Sequence, residues 1–358
     1  MACFYPLAAT QLLGGKILIH KRTPGVHQHK TPAHLGRDMK LPCGRCTGCK
    51  LDRSKEWSIR LMHEAQLHEK TSFLTLTYNT KSLYSGSARS ATSPPAVPDQ
   101  ETPLLTQHEL ERRRTQDQEL LVASSSSPNG LTKRHLQLFM KRLREDVGRR
   151  GSGEQRIKFY ACGEYGEKLG RPHYHIALFG EDFSDDRYKW RTSGTNTIWR
   201  SSRLEKLWPM GHSEIGELTI ESAAYVAAYV TKKINGPMAD EHYKRVNPMT
   251  GETYWLTPEF SLMSRGGRTG KGIAHAWFEE FQTDVYPHDH VIHKNKKKRP
   301  PRYYDKLLND KDPAQMAVVK LQREIRAMEG NEDNTPARLA DKEAVLAAKQ
   351  KLKIRNLK

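Results

Sequence analysis

Two hydrophobic periods run through the chain. Phe73-Leu74-Thr75-Leu76-Thr77-Tyr78 mixes apolar residues with threonine and stops at the turn former Asn79, which predicts a strand. Ile157–Cys162 and His173–Phe179 read as strands too, the second entered through Gly170-Arg171-Pro172 and left through Gly180. Ile215–Ile220 is a fourth, running into a helix over Ser222–Lys233. Helical composition also marks 52–68, from Asp52 through Trp57, Ile59, Leu61 and Leu67. Another helix follows Thr132, an N-cap by residue type. It has Leu136, Leu138, Phe139 and Leu143 inward and Lys133, Arg134, Lys141, Arg142 and Arg144 outward. Strands and helices mix without a regular βαβ rhythm, so the expected class is α+β with an antiparallel sheet.

The pattern lapses between 80 and about 130. Ser85 to Pro95 and Ser124–Ser127 are low in complexity and offer few apolar anchors, with one short charged helix, His108–Leu121, between them. This stretch reads as a mobile insertion. From Lys294 a Lys/Arg/Pro-rich run opens a polar tail whose parts at 313–329 and 337–355 have helical composition but no strong apolar stripe. The expected organisation is therefore a Cys-rich N-terminal segment and helix (1–70), a sheet-bearing domain with the insertion (71–284), and a basic, partly disordered or helical tail (285–358).

Charge adds a partner class. The 358 residues carry a formal net charge of +18, concentrated at the ends: twelve Lys and Arg against five Asp and Glu in 1–70, and eighteen against ten in 285–358. That balance suits a polyanion such as nucleic acid, and equally a protein with basic tails. No apolar run approaches the ~20 residues of a bilayer span, and no basic stretch carries an apolar Trp/Phe face for a membrane surface. The start, Met1 to Pro6, lacks the basic-then-apolar order of a signal peptide, so secretion is not expected. Five cysteines, three of them crowded between 43 and 49, do not form a disulfide framework.

Three local patterns carry chemistry. In His173-Tyr174-His175 the strand alternation puts both imidazoles on one face, spaced to share a metal ion. A hairpin through 167–170 would bring Glu164 beside them. Two imidazoles and a carboxylate leave coordination sites open for a phosphate oxygen, which suits Mg²⁺ or Mn²⁺ in phosphoryl transfer. In Tyr225-Val226-Ala227-Ala228-Tyr229 the i, i+4 spacing projects two phenols from one helix face, with Lys232 on the same side. A phenol attacking a phosphodiester forms a phosphotyrosine and frees a 3′-OH. Cys43, Cys46 and Cys49 supply three thiols, and Cys3 is the obvious fourth ligand for a structural Zn²⁺, with His63, His27, His29 or His34 as alternatives. Taken singly, each pattern has a plainer reading: a His-x-His that binds nothing, half-buried tyrosines of an amphipathic helix, and reduced thiols.

Taken together, and in this order, the strand at 73–77, the His-hydrophobe-His strand at 173–175 and the tyrosine helix with its trailing Lys at 225–232 resemble the HUH superfamily of replication initiators and relaxases. The chain looks most like the replication initiators of the microvirus group, gokushoviruses in particular. The shared residues include Pro42 to Cys49 with Trp57, Gly163-Glu164-Tyr165-Gly166, Arg171 to His175, Met263-Ser264-Arg265 and Arg299 to Lys306. The resemblance implies a sheet of about five strands flanked by helices. It also implies His173, His175 and Glu164 as Mg²⁺/Mn²⁺ ligands, Tyr225 and Tyr229 as alternating nucleophiles, and Lys232 as an orienting or stabilising group. A Lys found just before the second tyrosine in some two-tyrosine initiators is Ala228 here. Rolling-circle nicking and rejoining of single-stranded phage origin DNA would follow, in the host bacterial cytoplasm. With no Gly-x-x-x-x-Gly-Lys-Ser/Thr loop in the sequence, a host helicase would unwind and a host polymerase extend. Arg171, Arg265 and Arg268 are candidate phosphate contacts. The alternatives are a non-catalytic, basic, zinc-containing nucleic-acid-binding protein, and a relaxase or transposase on the same core.

Overall fold

The computed structural model describes residues 3–20, 36–79, 130–151, 156–166, 170–229, 233–234, 238–246, 251–266, 271–329 and 332–351. The expected insertion, apart from Gly130, falls outside these, as do Lys232 and Arg268. Along the chain come β1 (Leu7–Leu12), β2 (Ile17–Ile19), β3 (Gly36–Leu41), α1 (Thr47–Ala65), β4 (Thr71–Tyr78) and α2 (Lys133–Arg149). Next are β5 (Lys158–Tyr165), β6 (Pro172–Phe179), β7 (Arg187–Ser193), β8 (Asn196–Ser201), α3 (Ser202–Leu207), β9 (Gly211–Gly216) and α4 (Ile220–Ala228). Then follow α5 (Met238–Tyr243), β10 (Lys244–Val246), β11 (Thr253–Trp255), β12 (Phe260–Met263) and α6 (His275–Val285). The chain closes with β13 (Val291–His293), β14 (Lys296–Lys298), α7 (Arg302–Lys311), α8 (Pro313–Glu329) and α9 (Pro336–Lys351). Two compact units emerge, Met1–Arg60 with Trp277–Lys358, and Leu61–Ala276. Among the described residues no helix is long and apolar enough to cross a membrane.

The second unit is built on an antiparallel sheet of order β12-β5-β6-β4-β9-β8-β7. The α+β class holds, with seven strands in place of about five. The additional strands lie at the edges. Strand β12 is only four residues long, and the β7–β8 hairpin interleaves aromatic with basic residues, so apolar alternation does not mark it. Directly opposed residues share a face. Leu74 opposes both Ile176 and Ile215, and these pack in one core with Leu136, Phe139 and Leu143 of α2 and Leu204 of α3. Thr75 opposes His175 on β6 and Glu214 on β9, and His175 opposes Cys162. These belong to the other face, over which α4 lies.

Local boundaries shift for identifiable reasons. The strand expected at 215–220 ends at Gly216, because Thr219 instead caps α4: its hydroxyl accepts from the Ser222 N–H while Ser222 returns the bond to the Thr219 N–H. Thr132 occupies the N-cap position of α2 without a side-chain bond. Its backbone N–H and C=O are met by the Tyr174 hydroxyl, 2.9 Å from each. Helix α1 begins at Thr47, five residues before Asp52, so it carries Cys49. Gly163 leaves room for this core: a Cβ there would lie 3.0 Å from Leu131 and 3.2 Å from Tyr174.

In the same unit Glu64, fully buried, receives Lys158 at 2.8 Å, His68 at 2.8 Å and the Ala274 N–H at 2.6 Å. In the first unit, β1 pairs with both β2 and β3. Tyr304 of α7 stacks on Trp277 and Phe278 of α6. Arg323 of α8 spans Asp289 and Asp305 at 2.5 and 2.7 Å, joining α8 to α7 and to the turn before β13.

Candidate active site

The face of the sheet under α4 gathers five of the residues singled out by sequence. Glu164 on β5 directly opposes His173 on β6. One carboxylate oxygen, Oε1, lies 2.6 Å from His173 Nε2 and 3.2 Å from His175 Nε2. The other ring nitrogens are already committed: His173 Nδ1 lies 3.0 Å from the Arg171 carbonyl, and His175 Nδ1 lies 3.1 Å from the Thr75 hydroxyl. With Nδ1–H donating outward, each Nε2 turns its lone pair toward the carboxylate. Acceptors facing one another require a shared proton or a cation between them, and these three ligand atoms lie within 4.8 Å of one another. The donor set of two imidazoles and one carboxylate therefore fits a divalent ion, with Thr75 and the Arg171 carbonyl fixing the ring orientations. Burial pushes the Glu164 carboxyl up, but hydrogen bonds and charge from His173 and His175 outweigh it and hold the group at about 2.

Tyr225 and Tyr229 close over the same histidine. Their rings lie 5.2 Å (edge-on) and 5.5 Å (stacked) from His175, and 4.8 Å from each other. Tyr229 is the C-cap of α4 but keeps helical angles, φ −64° and ψ −22°, so the one-turn spacing survives to the helix end. Burial pushes the Tyr225 phenol up to about 12, against a hydrogen bond with Tyr229 that lowers it. Tyr229 is raised further, by burial first and then by the Glu164 charge. Both phenols are therefore neutral at physiological pH.

Not every candidate converges. Arg171 is exposed beside the histidine strand. Arg265 follows β12, whose neighbour Ser264 bonds to Phe159 at the far end of β5, roughly 17 Å of strand from Glu164. Sequence reasoning did not assign roles to Thr75 and Phe73, although both lie in a strand it flagged. Phe73 stacks on His175 at 5.4 Å and meets the Tyr225 ring edge at 6.3 Å. Their odd-numbered alternation with the buried Leu74 and Leu76 was the available signal.

The cysteine candidates assemble in the first unit. The sulfur atoms of Cys3, Cys43, Cys46 and Cys49 lie within 4.8 Å of one another. A tetrahedral zinc site needs sulfurs about 3.8 Å apart, so the cluster is compatible with zinc. Backbone N–H groups point at the thiols: Cys43 at Cys3, Cys46 at Cys43, and Phe4 and Cys49 at Cys46. Burial raises the Cys46 thiol, and those two N–H groups overcome it and bring it down to about 7. Burial wins at Cys3 and Cys49, which are raised.

Residues 121–234, which include Glu164, both histidines and both tyrosines, match the family model described as Replication-associated protein ORF2. The chain is also 28% identical over 333 residues to Replication-associated protein ORF2 of Spiroplasma virus 4, covering 90% of this chain and 86% of that protein. The chain belongs to the ORF2 family of phage replication-associated proteins. Family likeness extends to Replication-associated protein VP4 of Bdellovibrio phage phiMH2K, 26% identical over 82% of this chain and 76% of the relative. Replication-associated protein ORF4 of Chlamydia phage 1 is 30% identical over 54% of this chain and 38% of its own length. No solved structure matches the chain.

Proposed function

We propose that this member of the family initiates rolling-circle replication by nicking and rejoining single-stranded origin DNA through a tyrosine–DNA link. Glu164, His173 and His175 would hold Mg²⁺ or Mn²⁺, which supplies Lewis-acid polarisation of the scissile phosphate. One phenol oxygen, from Tyr225 or Tyr229, forms a bond to phosphorus as the P–O3′ bond breaks. Its proton ends on the departing 3′ oxygen. The products are a 5′-phosphotyrosine and a free 3′-OH. Because a phosphodiester is exchanged for a phosphodiester, a later 3′-OH can reverse the step at the first tyrosine and close a circle without a nucleotide cofactor. Two neutral, half-enclosed phenols suit the resting state: neither is committed until a phosphate enters. Lys232, three residues past Tyr229, retains its sequence-based role of stabilising charge, and Arg171 that of a phosphate contact. Unwinding and synthesis fall to host enzymes in the bacterial cytoplasm. Cys3, Cys43, Cys46 and Cys49 would hold a structural Zn²⁺.

The observation that carries this reading is that His175 faces Glu164 with its Nε2 and both tyrosine rings with its plane. The test is formation of an SDS-resistant protein–DNA adduct on labelled single-stranded origin DNA. The adduct is expected with Mg²⁺ or Mn²⁺, to be lost with EDTA, to persist in one or both single Tyr→Phe variants, and to vanish in Tyr225→Phe with Tyr229→Phe. An adduct in the double variant would overturn the nucleophile assignment. A chain that binds origin DNA but never forms the adduct would be the non-catalytic binding protein.

A further inference from the structure

The β7–β8 hairpin carries the aromatic residues Tyr188, Trp190 and Trp199. Residues 187–201 contain four basic side chains, Arg187, Lys189, Arg191 and Arg200, and no acidic one. Trp199 opposes the buried Ile215 and so belongs to the core face. Tyr188 and Trp190 do not: they are 46% and 52% exposed. Tyr188 opposes Arg200, which flanks Trp199 and therefore projects from the other side of the sheet. A register irregularity between Lys189 and Arg191 interrupts the alternation. It leaves the Trp190 ring 4.8 Å from the Arg200 guanidinium, on that same side. Arg191 grips Glu214 with bonds of 3.0 and 3.1 Å, and Glu214 lies on the Thr75–His175 row. The ribbon thus continues the face that holds the histidine pair. Four strand spacings, about 19 Å, separate β6 from β7.

We propose that this ribbon is a platform for single-stranded DNA leading to or from the cut site, with Tyr188 and Trp190 stacking on bases and Arg191 and Arg200 meeting phosphates. The inference rests on the reading of the site as a nicking centre for its choice of ligand. Two half-exposed aromatic rings among basic side chains bury little of their own surface, yet offer π-faces to any base and positive charge to the backbone. Sequence-tolerant single-strand binding needs that combination. The net charge of the hairpin favours a polyanion over an acidic or apolar partner surface in general.

The test is fluorescence anisotropy of a labelled oligothymidine in EDTA, where no cleavage occurs. Tyr188→Ala with Trp190→Ala is expected to weaken binding at least about tenfold. Trp190→Phe alone should restore most of what Trp190→Ala loses. Arg191→Ala and Arg200→Ala should each flatten the salt dependence by about one phosphate contact. Wild-type affinity in the double Ala variant overturns the platform. So does an equal loss on blunt duplex DNA, and so does a loss that accompanies a changed sedimentation coefficient, which would mark a protein interface. Should the double variant melt below the wild type, 5-iodouracil photo-crosslinking of the unaltered chain decides: adducts within 187–200 are expected, and adducts confined elsewhere refute the platform. Because binding in EDTA needs neither tyrosine nucleophile, an intact platform on a chain that never forms the covalent adduct would sink the nicking reading alone.

Discussion

Four thiols in the first unit and a carboxylate with two imidazoles in the second are gathered equally tightly, within 4.8 Å in each case. They differ in what surrounds them. Backbone N–H groups from Phe4, Cys43, Cys46 and Cys49 converge on sulfur atoms, and the four donors would complete a tetrahedron. The Glu164 cluster has three donors, its rings held from behind by Thr75 and the Arg171 carbonyl, and its open side faces two phenols. A closed ligand set resists substrate and stabilises a fold, whereas an incomplete one beside a nucleophile suits chemistry. Glu64 supplies a third term. It is buried like Glu164, but it meets a lysine, a histidine and a backbone N–H, which leaves no acceptor facing another acceptor.

The largest effect expected from this contrast is at the thiols. Cys46→Ala should reduce zinc from one per chain to none by atomic emission and unfold the first unit, since structural zinc contributes about 10 kcal/mol or more to small domains. Retention of that unit's melting transition in the variant would break the comparison. At Glu64, breaking a buried pair costs about 3 kcal/mol, so Glu64→Gln should lower the urea midpoint by that order while divalent-ion affinity stays unchanged. This carboxyl is pushed up by burial but held below its usual range by His68, Lys158 and the Ala274 N–H. Its stabilisation is therefore full above the unfolded value of about 4.3 and is lost as pH falls through the lower folded value. The urea midpoint of the wild type should drop over that acid window more steeply than that of Glu64→Gln. An identical acid slope would remove Glu64 from the account.

Thr75→Val should weaken Mn²⁺ binding about tenfold by calorimetry, a typical effect for a residue that orients a ligand, with little change in stability. The smallest effect is on the opposite face. Tyr174→Phe deletes the hydroxyl that meets Thr132 and Tyr78, which should cost about 1 to 2 kcal/mol and leave Mn²⁺ affinity unaltered. A fall in metal affinity there would mean that the two faces of the sheet are coupled.

Period and spacing along the chain determined the α+β class, the common face of His173 and His175, the one-turn separation of Tyr225 and Tyr229, and the crowding of three cysteines. These are properties of a strand or helix taken by itself, where backbone geometry dictates side-chain direction. Register between strands is not local, and only the tertiary structure decided it. It set Glu164 opposite His173, Thr75 behind His175, and Glu214 as the link to the β7–β8 ribbon. The seventh strand and the reach of Cys3 to Cys43, forty residues away, were hidden for the same reason. Pairing energies depend on which segments meet across the sheet, and a hairpin of alternating aromatic and basic residues announces no burial of its own until the chain has folded beside it.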